Sequence, residues 1–246
     1  KPKKKLKFLK KGAVESNSKG LLSQRIKKQI PSSVLLHRVS PDGKYYSFLE
    51  TTPGSEDDNK IIVYNIQTGK RTAVSEYTWM GPDKRSSMAW NSVWSPDGKK
   101  IAYYFNKYKH EGIAKGEIHI VNADGSNREV VYSEIVNGWG EVYDYSYDGK
   151  QVLFIAEESN QGKSTVKLMQ VNIDSKRAEL IKEFDSKVHN FRYSPKGAFI
   201  VFTKADDIFT LNIKNGQETQ VTFFDGMDWS PEWSTSGDKL LFISDR

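Results

Sequence analysis

Cysteine is absent from the 246-residue chain, which removes disulfide frameworks, thiolate metal sites and cysteine nucleophiles at once. The compartment stays open, because a chain without cysteine suits reducing and oxidising surroundings alike. Histidine is scarce, at four residues, and no His-Glu-x-x-His segment occurs, so a zincin centre is excluded. The sequence has no Gly-x-Ser-x-Gly elbow, no Walker loop and no dinucleotide fingerprint. No cofactor and no metal site is implied. The acidic stretch Glu56-Asp57-Asp58-Asn59 lacks the spacing and closing Glu of a calcium loop and reads as a solvated hairpin loop. No apolar run approaches the roughly 18 residues that span a bilayer.

Charge of one sign is concentrated at the start. Residues 1–30 carry eleven Lys or Arg against the single Glu15, a net of +10, so the overall +6 leaves −4 for residues 31–246. Such a lysine run binds anionic surfaces by charge alone, but it also keeps an exposed or edge segment soluble, and the second reading is preferred here. No nucleic-acid partner is expected of the mildly acidic remainder. The first residue is Lys, and no apolar signal core precedes it. The chain therefore reads as processed or trimmed, with any targeting signal removed from view.

What is present is a repeat. Ser40-Pro41-Asp42-Gly43-Lys44 returns as Ser95-Pro96-Asp97-Gly98-Lys99, Ser146-Tyr147-Asp148-Gly149-Lys150, Ser194-Pro195-Lys196-Gly197-Ala198 and Ser234-Thr235-Ser236-Gly237-Asp238. Each copy follows an apolar or aromatic residue and precedes a β-rich run. A third run then ends in a second turn, and a more polar fourth run closes the unit, as in Arg71 to Val74. Four strands in each unit of about 40 to 50 residues predict an all-β fold, a β-propeller with one blade per repeat. In the repeat turn Pro presets φ, Asp bonds the local backbone and Gly takes positive φ, so Asp42, Asp97 and Asp148 are structural rather than catalytic.

These residues resemble the TolB-like propeller family, whose repeats carry a Trp-Ser-Pro-Asp-Gly turn. Trp94-Ser95-Pro96-Asp97-Gly98-Lys99-Lys100-Ile101-Ala102-Tyr103 is a near-ideal copy, and Leu240 to Arg246 matches the family's second strand. The resemblance covers residues 31–246. It implies a six-bladed ring, a periplasmic or extracellular setting and an adaptor role; the same propeller also serves peptidase domains and some carbohydrate enzymes. TolB itself has an α/β domain ahead of its propeller, which the 30 lysine-rich residues here do not match. Expected blades cover about 31–76, 77–134, 135–183, 184–223 and, in part, 224–246. Strands at Leu6 to Leu9 and Leu21 to Ile30 either complete the fifth blade, or the chain continues past Arg246 into a sixth.

Alternation of strands puts the short repeat turns on one side and the long, variable loops on the other, where binding is expected. That side holds Tyr77, Trp79, Met80 and Trp139, with Phe223, Phe224 and Met227, and Trp90 and Trp229 lie where innermost strands begin. Tryptophan on a rim suits a protein or peptide partner, or stacking on a glycan; Trp90 and Trp229 equally suit packing between blades. A second set, Arg38, Asp144, Arg192 and Glu232, holds one repeat offset, two residues before the serine, with Val93 as the apolar exception. This set forms either ion pairs lining the channel or a solvated inner edge. His37 and His189 lie on innermost strands of different blades. The reading is a non-catalytic, exported binding propeller that docks a protein or peptide on its long-loop face. The rivals are a carbohydrate-binding or lyase-like propeller and the propeller of a longer peptidase.

Overall fold

The computed structural model describes residues 35–51, 59–76, 88–108, 114–136, 138–160, 163–185 and 187–245. The basic segment and the strands expected at Leu6 to Leu9 and Leu21 to Ile30 lie outside them.

Eighteen strands follow in order among the described residues. The first sheet is β1 (Leu35–Val39), β2 (Tyr45–Thr51), β3 (Asn59–Asn65) and β4 (Arg71–Ala73). The second is β5 (Met88–Trp94), β6 (Lys100–Tyr108), β7 (Ala114–Asn122) and β8 (Glu129–Val136). The third is β9 (Gly140–Tyr145), β10 (Gln151–Asn160), β11 (Lys163–Asn172) and β12 (Ala178–Phe184). The fourth is β13 (Val188–Tyr193), β14 (Phe199–Lys204), β15 (Asp207–Asn212) and β16 (Glu218–Gln220), and the fifth pairs β17 (Asp228–Trp233) with β18 (Leu240–Ser244). Each sheet is antiparallel in chain order, the meander of a propeller blade.

The repeat turn explains why each hairpin closes where it does. Ser95 Oγ donates to Asp97 Oδ1 at 2.6 Å and accepts the amide of Lys100 at 2.9 Å, while Asp97 Oδ1 also accepts the amide of Lys99 at 3.1 Å. Gly98 stands at φ +69°, in the left-handed region that glycine reaches without strain. The same Ser and Asp bonds recur at Ser40 and Asp42 and at Ser146 and Asp148. Where Lys196 replaces Asp, only the serine bond to Phe199 N, 3.0 Å, remains.

The middle strands carry continuous apolar runs because both faces are covered by neighbouring sheets. In Ile101-Ala102-Tyr103-Tyr104-Phe105, Ile101, Tyr103 and Phe105 pack toward the first sheet with Leu49, Ile61 and Val63, while Ala102 and Tyr104 pack toward the third with Val142, Val152 and Phe154. Leu153, Ile155 and Leu168 meet Phe191, Ile200 and Phe202 between the third and fourth. Burial of each such side chain contributes about 1.5–3 kcal/mol.

The sequence places second-to-third loops at Asn106 to Gly116 and at Glu158 to Ser164, and both are shorter in the structure. Pairing in the second blade runs out to Tyr108↔Ala114, and in the third to Asn160↔Lys163, so Lys107, Lys115 and Glu158 belong to long hairpins. Gly116 permits this in the second blade, because the Tyr104 side chain fills the space its Cβ would take.

Candidate functional site

Every innermost strand carries an irregularity. Register shifts fall between Leu35 and Arg38, Trp90 and Ser92, His189 and Arg192, and Trp229 and Glu232, and the third blade shifts where β9 meets Leu153 and Phe154. Asn91, Asn190 and Ser230, each four residues before its repeat serine, sit at φ 47°, 60° and 53°, a conformation Asn reaches more readily than most residues. A bulge re-aims the residues that follow it. Here those residues are Val93, Arg192 and Glu232.

The result is an axial cavity of about 740 Å³ lined from all five sheets. Arg38, Val93, Asp144, Arg192 and Glu232, the whole set at the common offset, meet there. Pro41, Pro96, Tyr147, Pro195 and Thr235, all one residue after the repeat serine, ring its end, so the cavity lies on the short-turn side of the axis, opposite the long loops. Tyr147 is 74% exposed on this rim.

Polar bonds tie the blades around this axis. Asn91 Nδ2 donates to Glu141 Oε1 at 2.8 Å and to the carbonyl of Val142 at 3.0 Å. Asp144 accepts the amide of Tyr145 through Oδ1 and that of Tyr193, in the next blade, through Oδ2, both at 2.9 Å. Arg192 donates from Nη1 to the carbonyls of Tyr143 and Phe191, at 2.9 and 2.8 Å, and from Nε to Glu232 Oε1 at 2.9 Å. Burial pushes the Asp144 carboxyl up to about 6 against the pull of Arg192, and it raises Glu141 as well. Burial together with the like charge of Arg192 brings Arg38 down to about 10. The repeat offset singled out the four charged residues that line the cavity but not Asn91 and Glu141. The shared Asn, Asn and Ser four residues before the serine, suited to a left-handed turn, was the signal available.

The long-loop side is described in part. Tyr77, Trp79 and Met80 lie outside the described residues, as do the side chains of Trp90 and His37. Trp139 is 39% exposed, and its carbonyl accepts the amide of Glu157 at 2.8 Å. Phe223, Phe224 and Met227 are exposed at 72%, 63% and 51% between β16 and β17. Asp245 steadies this loop by accepting the amide of Met227 at 2.8 Å. Trp229 is half-buried at its base. His189 is exposed at the start of β13, away from the axial cavity. Among the described residues no three His, Asp or Glu side chains gather as metal ligands would.

Sheets of this number and order around a lined axis define a β-propeller. Known proteins agree on that class. The family described as dipeptidyl peptidase IV (DPP IV) N-terminal region matches residues 146–232. An uncharacterized protein of Agrobacterium fabrum is 26% identical over 202 residues, 80% of this chain and 62% of its own length. Dipeptidyl-peptidase 5 of Porphyromonas gingivalis is 28% identical over 187 residues, 72% of this chain but 26% of the peptidase. The crystal structure of TolB from Acinetobacter baumannii superposes with a TM-score of 0.60 at 20% identity, covering 81% of this chain and 47% of TolB. The chain thus spans less than two thirds of the length of each of these three relatives.

Proposed function

We propose that the chain is a non-catalytic binding propeller, exported to the periplasm or beyond, that docks a protein partner on its long-loop face. The observation that carries this reading is the exposed cluster Phe223, Phe224 and Met227 in a single blade-to-blade loop. Large apolar side chains left in water on a rigid scaffold are characteristic of protein docking sites. Among the described residues no helix is long and apolar enough to cross a membrane. The hydrogen-bonded state of Asp42, Asp97 and Asp148 in their turns accords with a structural role for these carboxylates.

Affinity capture with the wild-type chain, the Phe223→Ser/Phe224→Ser double variant and Trp139→Ala tests the reading. A partner whose recovery falls about tenfold or more with the double variant supports it. Equal recovery by all three proteins refutes the proposed face.

A further inference from the structure

Among the described residues the polar bonds around the axis form an open chain. Asn91 joins the second blade to the third, Asp144 and Arg192 join the third to the fourth, and Arg192 with Glu232 joins the fourth to the fifth. Arg38 holds the same repeat offset in the first blade, yet its guanidinium makes no hydrogen bond or ion pair with any described residue. The second blade offers only Val93 at that offset. The neighbouring charges have local partners. Arg192 is committed to Glu232 and two carbonyls, Asp144 to two amides, and Glu141 to the Asn91 and Tyr143 side chains. Arg38 therefore brings donors with no partner among the described residues to a cavity of about 740 Å³, within the size range of small-ligand sites.

We propose that Arg38 is a carboxylate-binding subsite of the axial cavity, taking the free carboxylate of an extended peptide on the short-turn side of the propeller. A guanidinium presents its N–H groups as a planar fork that a carboxylate matches with two parallel bonds. Burial and the like charge of Arg192 disfavour the charged form of Arg38, while Glu232, Asp144 and Glu141 favour it; a carboxylate on the fork supplies the direct hydrogen-bonding partner that none of those acids gives. The surrounding charge selects the kind of anion. Arg38 and Arg192 face Asp144, Glu141 and Glu232, so acids outnumber bases and the site has room for one carboxylate only, seated directly on the Arg38 fork. A run of phosphates or uronates would set further anions against those three acids, which disfavours nucleic acid and acidic polysaccharide. The apolar faces of Pro41, Pro96, Pro195 and Tyr147 at the rim suit the backbone of an extended chain. This site is separate from the long-loop docking face and does not depend on it.

Calorimetric titration of the full 246-residue chain with acetyl-Ala-Pro-Ala-Ala, as free acid and as carboxamide, near neutral pH and at low salt, tests the subsite. The acid is expected to bind about tenfold tighter or more, the scale of a hydrogen bond to a charged group. Arg38→Met is expected to erase the difference, while Arg38→Lys, which keeps the charge but loses the fork, retains part of it and serves where Arg38→Met melts early. Equal affinity for the two peptides, no heat from either at millimolar concentration, or an undiminished acid preference in the Arg38 variants overturns the proposal. Tighter binding of inorganic phosphate or of a trigalacturonate than of the acid peptide overturns it in favour of a polyanion site.

Discussion

Arg192 Nε and Glu232 Oε1 stand 2.9 Å apart across a blade boundary, although the two residues are 40 positions apart and hold the same place in successive repeats. Their contributions are unequal. The Arg192 side chain is 13% exposed and Glu232 54%, so the ion pair itself is weakened by solvent. The two carbonyls held by Nη1 are more sheltered. Arg192→Met is expected to cost about 1–3 kcal/mol by stranding those carbonyls, and Glu232→Gln less than about 1 kcal/mol. Urea midpoints of the two variants compare them directly; similar losses would place the stability in the ion pair instead.

Gly140, the first residue of β9, is overlain by the Tyr104 ring, which occupies the space of a Cβ. Tyr104 is fully buried against Phe154, ring centroids 6.5 Å apart, and has no room to retreat. Gly140→Ala is accordingly expected to destabilise the chain by about 1–3 kcal/mol through overpacking. A neutral result in chemical unfolding would show that this corner relaxes.

Ser95 is the hub of the best-formed repeat turn. Ser95→Ala removes the acceptor for Lys100 N and the donor to Asp97 together, and about 1–2 kcal/mol of stability is expected to go with them. The corresponding change at Ser194, whose turn has Lys196 in place of Asp, removes a single bond and is expected to cost less. Reversal of that order in thermal melts would contradict the account of the turn.

Acid is expected to weaken the fold through His119. Its ring lies against Tyr103 and Phe105, at centroid distances of 5.2 and 5.3 Å, and Nε2 is 3.0 Å from Glu117 Oε2. Nδ1 is buried without a partner, which fits a neutral ring donating from Nε2. Burial holds the histidine below its ordinary range, although Glu117 pulls the other way. Burial pushes Glu117 upward, but its bonds to His119 and Lys115 outweigh this and hold it low. For a depressed pKa the unfolded chain takes up protons first, so the stabilisation is complete above the unfolded value and is lost as pH falls through the folded one. His119→Gln keeps an amide donor for Glu117 and does not titrate. The wild type is expected to lose stability relative to this variant as pH drops below about 6.5, and parallel curves would remove His119 as the cause.

The repeat serines, the apolar residue before each and the turn chemistry after it were legible because they recur. One residue, such as Gly98 with φ +69°, performs the same local task in every copy. The shared offset of Arg38, Asp144, Arg192 and Glu232 was legible for the same reason, and the four residues line one cavity. The identity of the bonds was not. Asn91 reaches Glu141 across 50 positions, and neither residue belongs to the motif that marks the blades. The extra length of the β10–β11 hairpin was hidden as well, because Glu158, Ser159 and Asn160 are polar and carry no apolar alternation.

By itself, then, the sequence determined the number of repeats, the strand meander inside each and the offset shared by Arg38, Asp144, Arg192 and Glu232, since all of these follow from local turn chemistry and period. Only the tertiary structure decided that the axial cavity lies on the short-turn side, that Arg192 is taken by Glu232 while Arg38 is left with no described partner, and that Phe223 and Phe224 stand in water. Those outcomes depend on which side chains of different blades meet after the bulges turn them, a matter of packing between segments some 40 to 50 residues apart that no single repeat contains.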